Sequence, residues 1–253
     1  MQLADLTTYL DSYLQHATFP DISLNGLQVE GRAEVGTIAL AVDASLLAIE
    51  GAIAAGADLL LTHHGLFWGR ALPLRGWLGQ RIKRLMQSDV SLYTSHLPLD
   101  AHPEVGNNAE LARRLGWERG APFGEFKNVQ VGFITTAPQP LGLEALVGHI
   151  AGTLQIPPSE IRTWGRAERP IQRIAVVSGG AAGNIEEAIA AGCDALLTGE
   201  PDYGATFPAI ESGVPLICAG HYHTETVGIQ ALGAHLAAKF GLRTCFIPGP
   251  TGI

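Results

Sequence analysis

Glu50 to Thr62 reads EGAIAAGADLLLT, and Glu186 to Thr198 reads EEAIAAGCDALLT. The two stretches align without gaps. Only three of the thirteen positions differ: Gly51 against Glu187, Ala57 against Cys193 and Leu59 against Ala195. Low-complexity alanine explains part of such a match, but not the shared Gly-x-Asp-x-Leu-Leu-Thr. Ala44 to Ala55 is Ala-rich and helical in composition, and Gly56 suits the position just past a helix end. Asp58 to Thr62 is a short apolar run suited to a buried strand, as is Thr37 to Val42 before the helix. Together they make a β-α-β unit, which implies a parallel sheet. Ile174 to Val177 precedes the second copy in the same way. The sequence therefore predicts an α/β protein with an internal duplication, built as two related halves.

The parallel extends downstream. Asp89 to His96 (DVSLYTSH) matches Gly213 to His221 (GVPLICAGH), with one extra residue in the second. Each reads as a strand running into a His, and each is followed four positions later by a carboxylate: His96 to Asp100, and His221 to Glu225. Upstream, residues 2–16 carry Leu3, Leu6, Leu10 and Leu14 on one helical side, and Asn25 to Gly31 (NGLQVEG) reads as a turn into extended chain. Gly116 to Asn128, with three Gly, one Pro and several charges, reads as the boundary between the halves. It gives a first domain of residues 1–122 and a second of residues 123–253. The second half holds a further strand at Val131 to Thr135 and a helix near Glu144 to Leu154. The terminal PGPTGI reads as a loose tail. The sheets are expected to be mainly parallel or mixed, flanked by helices, with a cleft between the halves.

Composition narrows the function classes. Of 253 residues, 47% are hydrophobic and 16% charged, which is enough to bury a core and too apolar for disorder. The formal net charge is −8, and no Lys/Arg-rich block supplies a face for a nucleic-acid backbone. Three cysteines without paired spacing exclude a disulfide framework and a Cys-based zinc site. The start MQLADLTTYL lacks the features of a signal peptide, and no apolar run reaches the roughly 20 residues of a membrane span. A cytoplasmic location fits.

Ligands of parallel α/β sheets collect at the carboxyl ends of the strands. The predicted strand ends deliver His63 and His64, then His96 and Asp100, then Glu200, then His221, His223 and Glu225. His16, His102, His149 and His235 lie elsewhere and read as structural or solvent-facing. Three imidazoles and two carboxylates, His63, His64, Asp100, His221 and Glu225, suit borderline divalent ions: Zn, Fe, Mn, Co or Ni. Neighbouring strand side chains diverge, so His63 and His64 are expected to straddle two ions rather than share one. Glu225 can bridge the pair, and His221-x-x-x-Glu225 places both groups on one face of a helix if one opens there. Paired ions of this kind activate water. His96 and His223 are the candidates for acid/base work, with roles as weak ligands or supporting groups open to them. Asn25, Asp43, Asn107 and Asn108 line the cleft or simply make turns. Ser178 to Gly183 (SGGAAG) follows a strand and precedes a helix. It lacks the Lys-Ser/Thr of a P-loop, and a tight turn is the simpler account. Cys218 reads as a core residue, and Ser95 has no partner set for a nucleophile.

NGLQVEG (Asn25–Gly31), DLLLTHHGLFWG (Asp58–Gly69), SHLPLDAHPEVGNNA (Ser95–Ala109) and AGHYHTET (Ala219–Thr226) together resemble the NIF-three-like family, also known as GTP cyclohydrolase I type 2 homologues. The length resembles its short bacterial form, without an inserted middle domain. The resemblance implies two α/β domains and a dinuclear metal centre on His63, His64, Asp100, His221 and Glu225, with Glu225 shared. It also implies a ring-shaped homo-hexamer with the metal sites facing an internal cavity. The family usually has a small residue, often Ala, where this chain has His223. Two functions follow as expectations. One is a metal-dependent hydrolase of a nucleotide or related small molecule, with His96 or His223 moving protons. The other is a non-catalytic metal-holding or regulatory ring.

Overall fold

A computed structural model describes residues 1–253, and the chain divides into two compact units. Unit 1 comprises Met1–Leu99 and Gly228–Gly249. Its elements are α1 (Leu3–Tyr13), β1 (Gly26–Val29), β2 (Thr37–Asp43), α2 (Leu46–Ala54), β3 (Leu59–His64), α3 (Gly76–Gln87), β4 (Ser91–Thr94) and the late strand β11 (Arg243–Phe246). The sheet runs β1-β4-β3-β2-β11, with β1 antiparallel to β4 and every other pairing parallel. Continuous apolar runs suit strands that are covered on both faces. Ala39, Ala41, Leu60 and Leu92 of the sheet pack with Ile49 and Ala52 of α2 and with Leu78, Ile82 and Leu85 of α3. The Ser45 side chain accepts from the Ala48 backbone N–H at 3.1 Å, which starts α2 at Leu46 rather than at Ala44.

Unit 2 comprises Asp100–Val227 and Pro250–Ile253. It contains α5 (Asn107–Leu115), which follows the short helix α4 (Leu97–Ala101), then β5 (Glu118–Phe126), β6 (Val129–Leu141), α6 (Leu143–Leu154) and β7 (Arg162–Trp164). β8 (Ile171–Val176), α7 (Ile185–Ala190), β9 (Ala195–Thr198), α8 (Tyr203–Ser212), β10 (Leu216–Cys218) and the opening of α9 (His221–Phe240) complete it. The strand order is β5-β6-β8-β9-β10-β7. Its core joins Leu111, Leu115, Leu146 and Ile150 of the helices to Ile174, Val176, Leu197 and Ile217 of the sheet.

The expected boundary near residue 122 falls inside β5, and the units divide elsewhere, at Leu99/Asp100 and Val227/Gly228. Gly116 to Asn128 is not a linker. β5 and β6 form an antiparallel hairpin whose turn residues, Lys127 and Asn128, both take positive φ, at 48° and 70°. Two consecutive left-handed residues match the right-handed twist of a tight hairpin. Pro122, Gly120 and Gly124, read as breaks, are absorbed within β5 at the end of the sheet, where the β5–β6 register shifts between Arg119 and Pro122.

The duplication is visible in the sheets. β2, β3 and β4 run parallel with antiparallel β1 beside β4, and β8, β9 and β10 run parallel with antiparallel β7 beside β10. The register agrees too, with Ile38 opposite Leu59 and Ile174 opposite Ala195. The repeated Asp has one job in both copies. Asp58 accepts from the backbone N–H groups of Gly36 and Thr37 at 2.8 and 2.9 Å and from Arg32 at 3.0 Å. Asp194 accepts from Gln172 and Arg173 N–H at 3.0 and 2.8 Å and from Arg169 at 2.7 Å. Each carboxylate clamps the start of the preceding strand.

Burial opposes charge on both carboxylates, yet the backbone donors and the arginine outweigh it and hold each below the usual carboxylate range. A folded-state pKa below the unfolded value gives stability that is complete above the unfolded pKa, near 3.8, and lost as pH falls through the lower folded value. Asp58→Asn and Asp194→Asn should each cost about 1–3 kcal/mol at neutral pH. Each variant should also lose less stability than the parent chain between pH 5 and pH 2, which is roughly the window of such a titration. Urea melts across that range check both outcomes. No helix is long and apolar enough to cross a membrane.

Candidate functional site

The expected ligands stand at the carboxyl ends of parallel strands in both units. In unit 1, β3 runs two residues further than its apolar stretch suggests and ends in His63 and His64. Their rings nonetheless lie 4.7 Å apart, centroid to centroid, and His96, just past β4, brings a third ring 5.2 Å from His63 and 5.6 Å from His64. One ligand atom from each of the three lies within 4.8 Å of the others.

What holds these rings decides which nitrogen faces outward. His63 Nδ1 lies 2.9 Å from the Ser95 carbonyl oxygen, which can only accept, so Nδ1 carries the proton. His64 Nδ1 donates to Asp43 Oδ1 at 2.9 Å. Asp43 ends β2, one strand over, and belongs to the site rather than to a turn. His96 Nδ1 lies 3.0 Å from both oxygens of Asp21, a residue to which no spacing or motif points. Asp21 is nearly buried. Burial raises its pKa, but the contacts with His96, the Ser23 N–H and Asn25 outweigh that and hold the carboxyl below its ordinary range.

Unit 2 supplies Asp100, His221 and Glu225. Asp100, in α4, has its Oδ1 set by Asn107 Nδ2 at 2.9 Å and Ser178 Oγ at 2.8 Å. Asn108 ties the same region together: its Nδ2 donates to the Val131 carbonyl at 2.8 Å, and its Oδ1 accepts from Ser178 N–H at 2.7 Å. The buried Asn pair thus serves Asp100. α9 begins at His221 itself, so His221 and Glu225 stand one turn apart on one face. His221 Nε2 is 3.2 Å from Glu225 Oε1, and Nδ1 is 3.1 Å from Glu200 Oε2. Burial disfavours a charged His221, but the hydrogen bonds and charges of Glu225 and Glu200 prevail and push it up to about 9. A ligand oxygen of Asp100 and one of Glu225 lie within 4.8 Å of each other.

Gly179 shapes this group. It sits at φ +66°, and a Cβ there would overlap Glu225 Oε1 and lie 3.2 Å from His221 Nε2. Three of the six N–H groups in the surrounding SGGAAG turn are engaged within the protein: Ser178 with Asn108, Gly179 with Thr224 Oγ1 and Ala181 with Thr198 Oγ1.

The remaining histidines have structural partners. His16 meets Asp11 and Ser95, and His149 meets the Leu115 carbonyl. His102 Nδ1 accepts from Glu104 and Val105 N–H, and His235 bonds Tyr9 and stacks on Tyr13. His223 faces a cavity of about 750 Å³ in unit 2, with Nε2 3.4 Å from Glu160 Oε2. Glu200 and Cys218 also line that cavity. Burial and Glu200 push the Cys218 thiol up to about 12. The terminal residues are tied down, since Tyr222 N–H donates to the Ile253 carbonyl at 3.1 Å.

His, Asp and Glu groups able to hold a metal ion are thus present. Known proteins share this whole architecture. The family model of Duf34/NIF3 (NGG1p interacting factor 3) matches residues 1–251. The GTP cyclohydrolase 1 type 2 homolog of Deinococcus radiodurans is 44% identical over 250 residues, spanning 98% of this chain and 94% of that one. Its namesake in Pyrococcus horikoshii is 44% identical over the full length of both chains. The solved ybgI protein, of unknown function, superposes with a TM-score of 0.92 at 35% identity, over 99% of this chain and 100% of that one. The TTHA1606 protein of Thermus thermophilus gives 0.90 at 38% identity, with both chains fully covered. With the duplicated sheets and the strand-end histidines in place, these matches make the chain a member of the Duf34/NIF3 family.

Proposed function

We propose that this chain is a metal-dependent hydrolase in which His63, His64, Asp100, His221 and Glu225 hold two divalent ions, with Glu225 common to both. One observation carries the reading. In each of the three imidazoles, Nδ1 is engaged by a fixed acceptor, the Ser95 carbonyl, Asp43 or Glu200, which turns Nε2 toward the site. Ligating histidines are held in this way in metalloproteins, because the outer acceptor fixes the ring and strengthens it as a donor. The mixed N/O donor set suits Zn, Fe, Mn, Co or Ni. Gly179 leaves open the space beside Glu225 and His221 that such a group needs.

Bound divalent ions would polarise the bond under attack and make water a stronger acid. The chain's own part is to orient and to move protons. His96 is the acid/base group in this reading, since it stands beside His63 and His64 within its own unit. The name shared by the curated relatives, GTP cyclohydrolase 1 type 2 homolog, supports a nucleotide as the substrate class.

Elemental analysis of the purified protein comes first. Chelated protein is then reloaded with each metal and given nucleoside triphosphates, including GTP, with phosphate and formate release as readouts. Turnover that appears with at least one metal and vanishes on chelation is expected. Full metal occupancy without turnover across the panel would leave a metal-holding protein and remove the hydrolase.

A further inference from the structure

Asp21 is the most heavily engaged carboxylate in unit 1 that carries no assigned role. Its side chain is 2% exposed. Oδ1 accepts from Ser23 N–H at 2.9 Å, and Oδ2 accepts from Asn25 Nδ2 and Leu97 N–H, each at 3.0 Å. Both oxygens lie 3.0 Å from His96 Nδ1. Asn25 completes the clamp, its Oδ1 accepting from the His96 backbone N–H at 2.8 Å. The edge of Trp68 abuts the ring, with centroids 5.0 Å apart. Every contact at the carboxylate is a donor pointing at an acceptor, so the only ring proton Asp21 can accept is the one on Nδ1.

We propose that Asp21 is a positioning residue that locks His96 in the Nδ1–H tautomer, so that the Nε2 lone pair faces the space beside His63 and His64 and takes the proton of the attacking water. The inference rests on the hydrolase reading for the fate of that proton. The tautomer itself does not depend on it. A general base needs an unprotonated nitrogen in a fixed direction, and a buried carboxylate behind an imidazole supplies both. An amide in place of the Asp21 carboxylate could not do the same. One of its two outer positions would carry N–H groups among donors from Ser23, Asn25 and Leu97, and an amide N–H aimed at Nδ1 drives the ring proton to Nε2.

Magic-angle-spinning NMR of 15N-histidine-labelled protein reads the tautomer, with His96 identified by the signals that His96→Gln removes. In the parent chain Nδ1 should be protonated and Nε2 bare. In Asp21→Asn the proton should move to Nε2. Metal content should stay unchanged while GTP turnover falls on the order of 10²-fold or more, as for loss of a general base. His96→Gln should match that fall. A parent His96 protonated on Nε2 overturns the proposal, whether or not Asp21→Asn folds. So does an Asp21→Asn protein that keeps the parent tautomer, or one that keeps the parent rate. If the parent chain turns over nothing, the hydrolase reading fails, and the tautomer comparison still decides the role of Asp21.

Discussion

On the proposed dinuclear hydrolase, Glu225→Gln should lower the bound divalent ions from two per chain to one or none and bring turnover down by at least about 10³-fold, as expected when a metal-activated nucleophile is lost. Gln keeps the volume and the helical propensity of Glu, so α9 and its packing survive. Only a charge and a ligating oxygen are removed. Glu225 is 3% exposed and close to a second carboxylate, Asp100. Without metal, Glu225 is repelled by Asp100 but held by the charged His221 at 3.2 Å, and the two effects oppose each other, so the metal-free variant should stay close to the metal-free parent in stability. The difference appears on loading. The parent gains about 2.7 kcal/mol at a metal concentration of roughly 100 times Kd, and the variant should gain a fraction of that. Inductively coupled plasma analysis with thermal melts, with and without metal, reads both effects. A Glu225→Gln protein retaining two ions would contradict the ligand set.

Gly179→Ala should be nearly as damaging, although it alters no polar atom. A side chain at φ +66° costs about 1–2 kcal/mol. The new methyl group also overlaps Glu225 Oε1 and crowds His221 Nε2. Backbone packing leaves Gly179 little room to move, since its carbonyl accepts from Gly199 N–H at 2.8 Å and from Thr198 Oγ1 at 3.0 Å. Glu225 and His221 must therefore shift, and in the proposed metal site affinity should fall by about 10–100-fold, the range seen when the surroundings of a ligand are disturbed. Gly183→Ala, in the same turn but with nothing within 4 Å of the added Cβ, should bind metal normally. Calorimetric titration of both variants separates a local clash from general loosening of the turn. Equal affinities would show that Gly179 does not shape the site.

The candidate ligands are legible because their type and place are tied to simple rules. Apolar runs end at His63, His64 and His221, and parallel strands put such ends where ligands collect. The duplication was legible because thirteen aligned residues repeat a β-α-β unit, and the strand order and register bear it out. Asp21 was not legible. It lies in an irregular segment, and the distance along the chain to His96 gives no hint of a contact. For Asp43 and Asn107 the sequence leaves both a cleft role and a turn role open for a comparable reason: nothing in a single sequence separates a turn carboxylate from one aimed across a strand at His64. The hairpin of β5 and β6 was misread as a boundary because Gly, Pro and charge mark both linkers and edge strands. The two left-handed turn residues that settle the matter are Lys127 and Asn128, and Lys is no turn signal at such a position.

Asp58 and the pair His63 and His64 occupy opposite ends of the same strand. Asp58 precedes β3, and His63 and His64 finish it, some five residues or roughly 16 Å further along. At that separation the effects of substitutions add with little cross-talk. Robustness and chemistry are therefore tuned by separate dials. One rim of each sheet can accumulate stabilising or weakening changes while the other evolves new ligands, which would let one inherited unit diverge into a His-rich copy and a Glu- and Gly-bearing copy without either losing its shape.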